Sequence, residues 1–409
     1  MSQEHESAGC AAKPRPVILQ SGEQVPAGAN YIPSDPGNVL WGRLPSRDDL
    51  ERHAVGEVAP GGDVVIDTVS HEGLLPDQGS DPVAYFGGHG VPEDQVLSDA
   101  VRIAASVPRD PAADGPHVVV GPIRVPGAHP GDLLAVTPTA LTCRVPYGVI
   151  STRHARGVLA GSDDFDGNYG QFCHADEAAG TAWFHARLAS GEPANGNDPN
   201  GPDPVIRFDM HPFLGITGVT PDSGERPSSI PPAAYGGNVD LRNLTVGSTL
   251  LLPVQVEGAG LYIGDPHFAQ GNGEVSLTAL EASLRATLHV EVVPAQRAKS
   301  LFGRTDLPFA FADGRLIPLG FGDTLDDALS QSVEHAIDMV STMFSIDRKQ
   351  TYLLLSAAVD FDVTQAVDIV KGAHGLIDLS MFRDCPAYDD VVRAIEALKG
   401  PAGREGDAR

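Results

Sequence analysis

The chain has 409 residues, 42% of them hydrophobic, and a formal net charge of −26. That length is ample for one large core or two intimate ones, and the charge excludes nucleic acid and anionic membrane surfaces as partners. With 46 glycines, 34 prolines and 6% aromatics, the composition favours short strands joined by ordered loops over a helical bundle.

The polar start MSQEHESAGCAAKPRP has no basic-then-apolar run, so neither a signal peptide nor a membrane anchor is expected there. Cys10, Cys143, Cys173 and Cys385 form no CxxC pair and read as the reduced thiols of a cytoplasmic protein. Residues 1–15 and 402–409 read as polar tails. GGDVVIDTVSHEG alternates as a strand, with Val64, Ile66 and Thr68 on one face and Val65, Asp67, Val69 and His71 on the other. Residues 93–106 read as a short helix, and 117–142 as three strands. PGGD at 60–63, PGD at 130–132 and LTVGST at 244–249 each precede an apolar run, the pattern of turns feeding strands of a sandwich or barrel.

Residues 186–204 read as a long polar loop, and 241–294 as mostly strand, including GEVSLTALEASLRATLHVEVV. The character then changes. DTLDDALSQSVEHAIDMVSTMF carries Leu325, Leu329, Val333, Ala336, Val340 and Met343 at helical spacing, with Asp323 or Thr324 as N-cap. Further helices are expected at 349–358 and about 387–399. The fold class is therefore α+β and β-dominated. A sandwich- or barrel-like hydrolase core spans residues 16–295, and a smaller helix-containing α+β portion, residues 296–401, packs on the same core.

The densest chemistry lies in GDPHFAQGNGEV, residues 264–275. Asp265 and His267 are two apart, so on an extended strand they share a face and suit chelation of one metal ion. Glu274 adds a carboxylate that could serve as general base. The competing reading is a β-turn whose polar residues tie down the loop. In PAAYGGNVDLRNL, Asn238 could donate its amide to a developing oxyanion, and Asp240 could ligate a metal or orient a histidine; an ordinary Gly-Asn turn with a solvated Asp reads equally well. Asp67, His71 and Glu72 form a third set of ligand-type side chains, and His89 and His154 are further candidates. No GxSxG, HExxH, phosphate-binding or dinucleotide-binding pattern occurs, so metal-assisted or acid–base hydrolysis is favoured by elimination.

PAAYGGNVDLRNLTVGSTLLLPVQVEGAGLYIGDPHFAQGNGEVSLTALE, with GPIRVPGAHPGDLLAV, HPFLGITGVTP and VTQAVDIVKGAHGLI, resembles the acetamidase/formamidase family, in the family's order, over most of residues 60–380. The resemblance implies a cytoplasmic, homo-oligomeric amidase that cleaves a small amide to ammonia and a carboxylate. It also implies a divalent metal, commonly zinc. The family's pattern falls on Gly236, Gly237, Asn238 and Asp240, then on Gly264, Asp265, His267, Gln270, Gly271, Gly273 and Glu274. On that basis Asp265 and His267 are expected as metal ligands with Asp240 and His71, Glu274 as base, and Asn238 and Gln270 as polar contacts to the amide. Two departures stand out: Asn272 occupies a position where Asp is expected in many relatives, and SHEGLL differs from the usual end of its strand. The alternatives are a hydrolase of a larger or cyclic amide and a non-catalytic β-sandwich that binds a metal or sugar.

Overall fold

In the strand Leu133–Cys143 the run LLAV is apolar without alternation, the signature of a strand covered on both faces. The computed structural model, which describes residues 18–153, 156–165, 167–186 and 204–400, shows both covers. Leu134 and Val136 enter one apolar core, and Leu133 and Ala135 enter another. The strand Thr249–Pro253 divides the same way, with Leu250 and Leu252 on one side and Leu251 on the other. A side chain such as Leu134 or Leu288, fully withdrawn from water, contributes roughly 2 kcal/mol relative to exposure.

These strands belong to a nine-stranded sheet, in which Gly62–Asp67, Leu284–Val293, Leu133–Cys143 and Thr249–Pro253 are consecutive neighbours. All three strands expected after the glycine turns at 60–63, 130–132 and 244–249 therefore lie in one sheet. A second sheet of eleven strands is organised around Leu261–Ala269, which pairs with Phe213–Val219, Val118–Arg124 and Leu280–Glu281. Ile66, Leu134 and Leu288 of the first sheet share a core with Val120, Phe213 and Ile263 of the second, so the two sheets form a sandwich.

The reading of 274–294 as continuous strand needs correction. Residues 274–279 are turn and coil, Leu280–Glu281 pairs in the second sheet, and Leu284–Val293 pairs in the first. Apolar alternation alone does not mark where a chain changes sheets; here Ala282 and Ser283 make the crossing.

The helices after residue 294 cover the outer face of the first sheet. Thr324 caps Leu325–Phe344 by accepting from the Asp327 N–H, and Ala336, Met339, Val340 and Met343 bury against that sheet. Leu325 and Leu329, at the start of the same stripe, are 40% and 41% exposed. Helices Arg348–Ala358 and Tyr388–Glu396 follow as expected; Ala295–Phe302 was not legible as a helix. The expected helix at 93–106 is a short 3-10 turn followed by Ser98–Ser106. Among the described residues no helix is long and apolar enough to cross a membrane.

This layer contains buried histidines whose charge the fold opposes. Burial lowers His335 to about 4, outweighing the Leu319 carbonyl that faces its Nδ1 at 3.1 Å. Burial and then Arg242 lower His374 to about 4 as well. Both start from 6.5, so the unfolded chain takes up these protons first and the fold loses stability as pH falls from 6.5 towards 4. The expected loss is on the order of 1 kcal/mol per pH unit per group. Melting curves from pH 7 to 5 test this: His335→Leu should have a flatter pH dependence than the parent, whatever its stability at pH 7. An unchanged slope would refute the assignment.

Candidate active site and metal centre

The site is assembled by three adjacent strands of the second sheet. Phe213–Val219 lies between Gly236–Asn238 and Leu261–Ala269, with Ile216 opposite both Asn238 and Gly264. Just beyond this row the chain bends out of extended geometry, with φ of 47° at Asp240 and 50° at Asp265. Gly215 lies beneath the two bends. A Cβ there would stand 2.5 Å from Asp240 Oδ1, 2.7 Å from His267 Cε1 and 2.9 Å from Asp265 Oδ2. The carboxylates and the imidazole converge because residue 215 has no side chain.

His267 is opposite Glu281 in the ladder, and its Nε2 lies 3.1 Å from Glu281 Oε1 and 3.2 Å from Asp265 Oδ2. Its Nδ1 is 3.9 Å from Asp240 Oδ1. From the first sheet's side, His71 Nδ1 approaches Asp265 Oδ1 at 3.4 Å and Glu281 Oε2 at 3.9 Å, while His117 Nε2 stands 3.7 Å from Asp265 Oδ2. Three overlapping sets each bring their ligand atoms within 4.8 Å: Asp265, His267 and Glu281; His71, His117 and Asp265; and Asp240, His267 and Glu274. All these side chains are buried.

The loop carrying Asp368 joins them. Gln365 folds it by accepting from the N–H groups of Val367 and Asp368 and donating to the Val370 carbonyl. Thr364 and Ala366 bind the backbone of Gly273, which fixes this loop against the one bearing Glu274.

Much of this backbone is strained. Arg153, Asp240, Asp265, Glu274, Leu277 and Ile369, in or beside the cluster, are six of the eleven non-glycine residues with positive φ among the described residues. Each such conformation costs on the order of 1 kcal/mol or more and persists only where its surroundings impose it, typically at functional sites.

The electrostatics are those of an acid-rich centre. Burial raises Asp240, helped by Glu274 and Asp368, well above the ordinary aspartate value. Burial likewise raises Glu274, with Asp368, Glu281 and Asp265 adding to it. Asp368 is pushed up to about 7, chiefly by burial. Asp265 goes the other way: burial pushes it up, but His117 and His267 pull it well below the usual range. His267 is raised despite burial, by Glu281 and Asp265, and burial lowers His117 to about 3. His71 is pulled both ways. Burial and Arg153 lower it, while Glu281, Asp265 and Glu72 raise it, to about 9. An imidazolium would set two donors face to face across the 2.6 Å contact between His71 Nε2 and Arg153 Nη2, so the neutral ring is the form this geometry holds.

Buried polar atoms are normally partnered. Here both oxygens of Asp240, both ring nitrogens of His267, and His71 Nδ1, Asp265 Oδ1, Glu281 Oε2 and Asp368 Oδ2 make no hydrogen bond. Unpartnered carboxylate oxygens and imidazole nitrogens around one point are the donor set of a divalent cation. The cluster forms one end of a cavity of about 150 Å3, whose other walls include Arg153, Asn238, Ile230, Leu277 and Ile369. A second cavity, about 460 Å3, lies on the far side of Glu274 and Thr278, which line both.

Of the residues singled out in the sequence, Asp240, Asp265, His267, Glu274, Asn238 and His71 come together here. Gln270 lies close by, but its Nε2 donates to the Asp240 carbonyl at 2.8 Å and its side chain lines the second cavity, so it braces the bend at Asp240. Asp67 is elsewhere. Its strand ends at that residue, so alternation does not carry over to His71, and its carboxylate binds Arg285 and Tyr31. His89 stacks on Phe172 at 4.9 Å, away from the cluster. His154 lies outside the described residues. Sequence reasoning missed Glu281, His117 and Asp368. His117 opens an apolar strand and Glu281 looked like a polar member of an alternating one, and neither carries a local signal.

Comparison with known proteins agrees with this architecture. Residues 223–380 match the model of the acetamidase/formamidase family. An acetamidase from Mycolicibacterium smegmatis is 30% identical over 260 residues, 54% of this chain and 63% of that protein. A formamidase from Methylophilus methylotrophus is 27% identical over 192 residues, 39% of this chain and 47% of that protein. The chain thus spans less than two thirds of the length of either. In fold it is similar to crystal structures of acetamidases from Bacillus halodurans, with a TM-score of 0.64 at 21% identity over 87% of this chain and 100% of that one, and from Yersinia enterocolitica, with 0.66 at 20% over 88% and 96%. Residues 223–380, which carry most of the buried acid–imidazole cluster, are thus similar in sequence to the acetamidase/formamidase family, and the chain is similar in fold to solved acetamidases.

Proposed function

We propose that this protein hydrolyses a short-chain linear amide to a carboxylate and ammonia, assisted by a divalent cation, zinc by preference. The observation that carries this reading is the set of unpartnered buried oxygens and nitrogens at the end of a small cavity. Asp265, His267 and Glu281 would hold the cation, with the Asp240 carboxylate behind His267. When bound, such an ion supplies a Lewis acid and makes water nucleophilic near neutral pH.

The remaining steps fall to the chain itself. Glu274 faces the cavity with its proton affinity raised by burial and neighbouring acids, so it takes a proton from attacking water and returns it to the departing amine. Asn238 lines the same cavity, and its side-chain amide is placed to donate to the oxygen that becomes negative; one such donor is worth about 3 kcal/mol of barrier. Ile230 and Leu277 give the acyl group an apolar wall. A cavity of about 150 Å3 admits a ligand about the size of benzene at most, which fits the small amides that name the two relatives. The larger cavity beyond Glu274 and Thr278 makes a bulkier amide the second reading.

Ammonia release from formamide, acetamide and a bulkier amide tests the proposal on protein as purified, after chelation and after zinc is restored. Activity should be lost on chelation, return with zinc and be absent in His267→Ala. Full activity after thorough metal removal would refute the metal role, and turnover of the bulky amide alone would establish the second reading.

A further inference from the structure

Arg153 stands beside the cluster without belonging to any ligand set. Its Nη2 lies 2.6 Å from His71 Nε2 and also donates to Glu72 Oε1. Its backbone has φ of 38°, and its side chain is only 8% exposed. A guanidinium donates and never accepts. At that distance His71 Nε2 must present its lone pair, so the hydrogen of the neutral ring sits on Nδ1. Nδ1 is the nitrogen that faces Asp265 Oδ1 and Glu281 Oε2.

For Nδ1 to ligate a cation, the hydrogen would have to move to Nε2, where it would meet the guanidinium. A metal-ligating histidine normally donates its other N–H to a carboxylate, a backbone carbonyl or water, and here the guanidinium occupies that place. Among the described residues the carboxylate at hand is Glu72, 3.6 Å from Nε2 and already taken by Arg153. Glu72 cannot follow the ring, because Gln78 and Ser151 hold it as well. Resting on the metal reading above, we propose that Arg153 is a positioning residue that keeps His71 out of the ligand set, leaving its Nδ1–H to face the Asp265 carboxylate from 3.4 Å. The cation is then held by Asp265, His267 and Glu281, and the expectation of His71 as a ligand is replaced by a place beside the set.

The inference makes an unusual demand: removing the Arg153–Glu72 pair should tighten metal binding. Zinc affinity, measured by chelator competition on metal-free protein, should rise at least about tenfold in Arg153→Met, the scale of an outer-partner effect. It should also rise in Arg153→Met/Glu72→Gln, which leaves net charge unchanged, strands no buried carboxylate, and keeps an amide oxygen to accept from Nε2–H. In a His71→Ala background the gain should vanish. Nitrogen NMR of labelled histidine should find His71 Nε2 unprotonated in the metal-free parent and Nδ1 bound to zinc in the loaded double variant. Unchanged or weaker zinc binding in both variants would overturn the inference, as would a gain that survives His71→Ala, since Arg153 would then act by charge alone. If neither the parent nor any variant binds zinc, the metal reading fails and this inference with it.

Discussion

Gly215→Ala is expected to abolish amide hydrolysis and zinc binding while leaving a folded protein. The new methyl would lie 2.5 Å from Asp240 Oδ1 and 2.9 Å from Asp265 Oδ2, closer than carbon and oxygen approach. Neither carboxylate can retreat easily. Asp240 is fixed by Gln270 on its carbonyl and by its own N–H to the Gly215 carbonyl, and Asp265 is enclosed by His71, His117 and His267. The overpacking should cost about 1–3 kcal/mol of stability. The chemical loss should be larger, because a shift of about 1 Å in reacting groups is worth roughly 100-fold in rate. Gly271→Ala is the control: it lies in the same dense stretch, yet a Cβ there meets nothing within 4 Å, so its activity should be close to the parent's. Ammonia release and zinc content of the two variants decide the matter. A Gly215→Ala protein with full activity and zinc would show that the convergence of these side chains is not the active centre.

Glu274→Gln should separate activity from stability. Losing a general base costs about 100- to 10,000-fold in turnover. The fold should not suffer. Burial and the neighbouring acids Asp368, Glu281 and Asp265 raise Glu274 above its ordinary 4.5, so in the folded state its charged form is disfavoured. A carboxyl with raised folded pKa binds its proton more tightly folded than unfolded, and the fold loses stability as pH rises above 4.5. Glutamine does not titrate. The metal-free variant should therefore gain on the parent in melting temperature as pH rises from 4.5. Retained turnover would transfer the role of base to another group, and Asp368, held at about 7 in the same cavity, is the first to examine. A melting temperature well below the parent's would mean that Glu274 stabilises the fold.

The sequence was most informative where chemistry is locally dense. Asp265, His267 and Glu274 lie within ten residues, and glycines around them announce close backbone approach. Strand–turn units at 60–67, 130–143 and 244–253 were legible because each couples a glycine turn to an apolar run. The rest is set by topology. Face-sharing along a strand brought Asp265 and His267 together on paper, but their meeting depends on a backbone bend at Asp265 that alternation does not contain. The same rule tied Asp67 to His71, and there the strand had already ended. Glu281 reaches the site because Leu280–Glu281 belongs to the second sheet and the following strand to the first. Arg153 and His117 are set by pairings with no local signature.

The site also straddles the sandwich. His267 and Glu281 ride on strands of the second sheet, whereas His71 and Asp368 follow strands of the first. The proposed ligands Asp265, His267 and Glu281 all belong to the second sheet, so that layer alone would carry them. What the first sheet adds is His71 and Asp368, the groups that face those ligands from the other side. Closure of the two layers would therefore finish the surroundings of the centre rather than supply its donors, and the last polar groups to arrive would be those that position the ligands.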